Sequence, residues 1–180
     1  MHLIKLEGAI GAAFIGLRSV HVDDPARFIE ELKARFPHLL LQAVDARYVA
    51  GVCHLNLIVQ QAWEAKKRNL LYASRFELDL IIRIACDIQI SRALRKVGLK
   101  PGFQDIVIIA VGDLQEISSL STSITALGEP SDSVMNLTYE KEKMLVKDHD
   151  VGRDLLNSIL YRRNRLSWVL AEKAALLRAR

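Results

Sequence analysis

The chain has 180 residues, of which 51% are hydrophobic and 26% charged. That is enough apolar side chain to bury a core without staples, and it excludes disordered, collagen-like and coiled-coil classes. Two cysteines exclude a disulfide scaffold, and a formal net charge of +4 permits an anionic partner without requiring one.

Residues 3–7 and 9–18 read as two strands with Gly8 at the turn. Asp24-Pro25 starts a helix, because Asp24 can accept N–H groups at the cap and Pro25 loses nothing at the first helical position. Phe28, Ile29, Leu32 and Phe36 recur at helical spacing until Pro37 ends the element. Leu39 to Val44 is a short apolar run and reads as a buried strand. Asp45 is expected to cap a second helix over about residues 46–66, striped by Tyr48, Val52, Leu55, Val59 and Ala62. Lys66-Lys67-Arg68 sits at its C-terminal end, where cations suit the helix dipole.

Ser74-Arg75-Phe76-Glu77 has capping-box spacing and is expected to open a third helix over about residues 75–97. Leu78, Ile81, Ile82, Ala85 and Ile88 would cover one side, and Leu80, Ile84, Ile90, Leu94 and Val97 another, which makes that helix central. Asp105 to Val111 reads as a central strand, and Asp113 and Glu116 form a second capping box. The helix that follows carries Ile117, Leu120, Ile124 and Leu127, and Val134 to Leu137 reads as a weaker strand. The last third is helical. The order predicts a single α+β domain: a mixed, mainly antiparallel sheet flanked by helices, with a basic helical C-terminal extension from about residue 163 to 180.

Charge is segregated. Residues 101–140 hold no Lys or Arg, whereas cations gather at Lys66, Lys67, Arg68 and Arg75, at Arg83, Arg92, Arg95, Lys96 and Lys100, and again from Arg162 onward. Such a distribution lets one face meet phosphates, although solvated helix faces give the same pattern. No constellation reads as catalytic. His2, His21, His38, His54 and His149 are scattered, and neither cysteine lies in a C-x-x-C. Cys53-His54 lacks an acidic group at i+4 to orient a base, and Gly8, Gly11 and Gly16 do not fit a dinucleotide fingerprint. No metal or cofactor is expected. No apolar run reaches the roughly 18 uncharged residues of a membrane span, and no signal peptide is visible, so a cytoplasmic protein is expected.

One stretch says more. Val44-Asp45-Ala46 leads into Val49-Ala50-Gly51-Val52-Cys53-His54-Leu55 and then Ala62-Trp63-Glu64-Ala65-Lys66-Lys67. After a basic connector come Glu77-Leu78-Asp79-Leu80-Ile81-Ile82-Arg83-Ile84-Ala85 and Gln89-Ile90-Ser91-Arg92-Ala93-Leu94-Arg95-Lys96-Val97-Gly98. This resembles the PRPK-binding protein family (TPRKB-like, CGI-type), accessory subunits of the KEOPS complex. The resemblance covers about 70 residues closely. It implies a subunit without activity of its own, which binds the N-lobe of the kinase-like ATPase subunit. That complex makes threonylcarbamoyl-adenosine in tRNA, and the resemblance further implies recruitment of tRNA through its single-stranded 3′ end.

On that reading Lys66, Lys67, Arg68, Arg75 and Arg83 are candidate phosphate ligands, Tyr72 a stacking surface and Gln89 a base-reading amide. His54, Asn56, Leu57 and Ile90 are candidates for the kinase-facing patch. Two other classes stay open: a kinase-regulating adaptor without RNA contact, and a small enzyme or ligand-binding protein with a cleft near Gly8 to Gly16.

Overall fold

A strand pair opens the chain: β1 (His2–Glu7) and β2 (Ile10–Val22) are joined at Gly8, whose φ of +56° is a conformation glycine adopts without strain. A computed structural model describes residues 1–159 and 164–177. The chain divides into two compact units, each built from two separate segments.

The first unit contains Met1–Ala46 and Gly98–Met135. It adds β3 (Leu40–Asp45) and β4 (Gly102–Asp113), and the sheet runs β1-β2-β4-β3 with every pairing antiparallel. The two-residue β5 (Glu129–Pro130) adds to β2 at Leu17 and Arg18. Register slips between Leu17 and Val20, where Ser19 takes a φ of +53° and its N–H donates to Asp105 Oδ1 at 3.0 Å. That is a bulge with its loose amide satisfied. β4 is central and Ile106 to Val111 are all buried, which explains why the strand reads as an unbroken apolar run.

Helix α1 (Pro25–Arg35) begins as expected, with Asp24 Oδ1 accepting from the amides of Ala26 and Arg27 at 2.8 and 3.2 Å. Helix α5 (Leu114–Ser123) is capped by Asp113, which accepts from Gln115 N–H at 2.8 Å. Leu32 of α1 and Ile117 and Leu120 of α5 join Ile15, Leu17, Leu41, Ile106 and Ile108 in one core. Gly11 and Gly16 are packing positions: a Cβ on Gly16 would lie 2.3 Å from Ser131 O, and one on Gly11 would strike Leu114 and the carbonyl of Ile4.

The second unit contains Arg47–Val97 and the chain from Asn136 onward, and it is helical: α2 (Val52–Lys67), α3 (Phe76–Ala85), α4 (Ile90–Val97), α6 (Tyr139–Asp148), α7 (Arg153–Ser158) and α8 (Arg165–Ala175). Leu166, Val169 and Leu170 of α8 are buried with Ala50, Leu145, Val151 and Leu156. Ser167 Oγ donates to Ala50 O at 2.6 Å within the same core. The expected extension is therefore integral over Arg165–Ala175, while its positions 163 and 178–180 lie outside the described residues.

The α+β class is as read, but four local expectations need correcting. The second helix begins at Val52, because residues Ala46–Tyr48 form a 3-10 turn and Gly51 at φ +95° breaks the path. The long third helix is two helices, divided where Cys86 turns left-handed at φ +51°. Asp87 then accepts from Gln89 N–H at 2.9 Å and from Arg92, fixing the restart. Ser74 does not cap α3: the cap position falls on Arg75, which makes no side-chain cap hydrogen bond, and its guanidinium meets Glu77 at 3.0 Å. Residues 134–137 form no strand; Asp132–Met135 is a 3-10 turn.

Candidate functional site

The end of α2 is built by a Schellman closure. Asn69 takes a φ of +55°, Leu70 N–H donates to Ala65 O at 2.8 Å and Asn69 N–H to Lys66 O at 3.2 Å. This stops the helix and leaves Lys66, Lys67 and Arg68 together and exposed on its last turn. Lys66 Nζ stands 5.7 Å over the Trp63 ring, a cation–π contact that positions the ammonium without neutralising it. Glu64 takes Lys67 at 2.7 Å and Arg68 at 3.6 Å. The Lys67 hydrogen bond holds the Glu64 carboxyl below its ordinary value. These are exposed pairs that water screens, so both cations can exchange Glu64 for a phosphate at small cost.

The connector that follows is anchored from inside. Asp79 is fully buried and accepts at one oxygen from Tyr72 N–H and at the other from Arg83 Nε, each at 2.5 Å. Arg83 lies 4.5 Å from the Tyr72 ring centre and its Nη1 reaches Gln61 Oε1 at 3.4 Å. The Tyr72 hydroxyl points at Ala174 O and Ala175 O at 3.1 and 3.0 Å, and Gln61 Nε2 donates to Ala171 O at 3.0 Å. One polar network thus ties α2, α3, α8 and the connector together. Arg83, only 5% exposed, is committed to this network and faces no solvent phosphate, and Tyr72 is a half-buried anchor. Both depart from their expected places in the phosphate and stacking set, since a buried carboxylate needs its cation. Arg75 is exposed beside Glu77, and Gln89 is exposed at the start of α4.

The four partner candidates scatter. His54 is fully buried on α2; its Nδ1 accepts from Ala50 N–H at 3.3 Å, and burial pushes its pKa down to about 4. It presents nothing to a partner. Asn56 accepts from Gln60 at 2.9 Å. Leu57 lines an apolar groove of about 480 Å³ with Gln61, Ile159, Trp168 and Ala171. Ile90 is exposed on α4, one turn before exposed Leu94 and just after exposed Ile88. Leu94 shares the expected apolar side with Ile90, at i and i+4, but only Ile90 of the two stands among the partner candidates; its exposure adds Leu94 to that surface. Trp168 was missed; the buried stripe Leu166, Val169, Leu170 places it on the opposite side of α8.

Asp148-His149-Asp150 offers no ligand set. His149 is buried with its Nδ1 3.3 Å from Lys96 Nζ. Among the described residues no three His, Cys, Asp or Glu side chains gather as a metal site would require, and no helix is long and apolar enough to cross a membrane.

Compared with known families, residues 20–149 match the family described as kinase binding protein CGI-121. No curated protein matches the chain.

Proposed function

Because the chain belongs to the CGI-121 family of kinase-binding proteins, we propose that it is the non-catalytic regulatory subunit of a KEOPS complex, gripping the kinase-like ATPase subunit and helping to recruit tRNA by its 3′ end. The observation that carries the kinase half is the family match itself, across 20–149. The exposed apolar residues Ile88, Ile90 and Leu94 supply a patch of the kind a partner helix or sheet covers. The tRNA half draws support from Lys66, Lys67 and Arg68 on one helix end, with Arg75 contributed by the connector. The reading places the protein in the cytoplasm, with tRNA modification as its process.

The test is co-elution of the chain with the kinase-like ATPase, and gel shift with tRNA at several salt concentrations. The variant Lys66→Glu, Lys67→Glu, Arg68→Glu is expected to lose most of the affinity. Its salt slope should fall by roughly one for each phosphate that is no longer neutralised. Unchanged affinity and slope would remove RNA from the proposal and leave the kinase adaptor. One observation favours that narrower reading: Glu64 already sits between Lys67 and Arg68. A Glu64→Gln variant that binds tRNA more tightly would show the carboxylate competing with phosphate at a working RNA surface.

A further inference from the structure

A second concentration of positive charge surrounds a pocket of about 300 Å³ in the helical unit, lined by residues of α6, α7 and the start of α8. Its cations are Lys143, Arg153 and Arg165, and its apolar floor is Val146 and Leu156. Tyr139, 76% exposed, stands at the same opening, and Asn157 adds an amide. Neither Lys143 nor Arg153 has a carboxylate partner among the described residues, and Arg165 has only Glu142 at 3.8 Å, too long for a hydrogen bond. Three cations against one carboxylate in a concavity leave an excess of two positive charges. Like charges that converge without a counter-ion repel one another, and an anion seated among them relieves that repulsion. Two guanidinium forks suit the paired oxygens of a phosphate, and a large exposed phenol ring with an apolar floor suits a flat ring carried on it.

We propose that this pocket binds a nucleotide unit, the phosphate held by Arg153, Arg165 and Lys143 and the base lying against Tyr139. The volume is at the small end for ligand sites, which fits one base and one phosphate. Arg153 and Arg165 lie beyond the family-matched segment 20–149, so the pocket joins matched α6 to elements outside the match. It shares no residue with the α2 surface proposed for tRNA, and its success or failure is read with different variants.

The nucleotide could be free or part of a strand, and the assay separates these. The full chain is titrated calorimetrically with AMP, with inorganic phosphate and with a short single-stranded oligoribonucleotide. Saturable AMP binding is expected, with inorganic phosphate weaker by about tenfold because it lacks the base. Arg153→Glu with Lys143→Glu should weaken AMP by at least about tenfold at unchanged melting temperature, both side chains being exposed. The milder Arg153→Gln gives the same direction should the double variant fold poorly. Tyr139→Ala should weaken AMP and leave inorganic phosphate unchanged. An oligoribonucleotide that binds tighter than AMP, and loses that margin in Arg153→Glu, identifies a strand as the source; equal affinity identifies free nucleotide. No saturable AMP binding, or AMP binding indifferent to Arg153 and Tyr139, overturns the proposal.

Discussion

Asp79 holds two partners at once, a backbone amide of the connector and the guanidinium of Arg83, and it does so without solvent. Removing one member of such a pair leaves the other charged and unpaired, so Asp79→Ala should destabilise the protein by about 3–5 kcal/mol in urea denaturation. A loss below about 1 kcal/mol would show the pair to be incidental. The pairing was legible in the sequence, since Asp79 and Arg83 stand at i and i+4 on a helix. Reading Arg83 only as one more cation concealed it, because nothing in a charge count distinguishes a buried guanidinium from an exposed one. The histidines give a second prediction at this scale. Burial lowers His54 to about 4 and, helped by the nearby Lys96 charge, His149 to about 3. Below the ordinary imidazole value of about 6.5 the unfolded chain takes up protons that the folded chain refuses. Stability is therefore full above that pH and falls with acidification, by up to about 1.4 kcal/mol per pH unit for each histidine, until pH nears the folded values. Urea midpoints that stay flat from about pH 6.5 to 4.5 would contradict this.

Helix α4 is eight residues long, and its inward positions Ala93 and Val97 bury while Ile90 and Leu94 stay outside. Ile90→Asp with Leu94→Asp should shift folding stability by no more than about 0.5 kcal/mol, as surface changes do. The same variant should abolish co-elution with the kinase-like ATPase; retained co-elution at full strength would move the kinase surface elsewhere. The separation of α3 from α4 was not legible, because the apolar pattern continues through residues 86–89 and only the left-handed turn at Cys86 breaks it. The start of α2 failed for a similar reason: Asp45 has cap chemistry, but it belongs to the last position of β3. Strand pairs fared better, since the Gly8 turn and the long β4 run carry their own punctuation. Gly16 tests the sheet: an added methyl would meet Ser131 O and Val134. Gly16→Ala should cost about 1–3 kcal/mol, read as a lowered melting temperature. An unshifted melting temperature would mean that the 3-10 segment Asp132–Met135 yields freely.

For the molecule as a whole, the interleaving of its two units has a kinetic consequence. The sheet unit opens at Met1 and closes only when Gly98–Met135 arrives, and the strand supplied late, β4, is the central one that both β2 and β3 require. During synthesis the nascent chain therefore holds β2 and β3 without their common neighbour while 56 residues from Ala46 to Pro101 pass through the ribosome. Such non-local pairing is slow to close, and open apolar strand edges invite wrong partners meanwhile. Truncated nascent chains ending before residue 102 should remain protease-sensitive throughout their first 46 residues, and those extended past residue 135 should become protected.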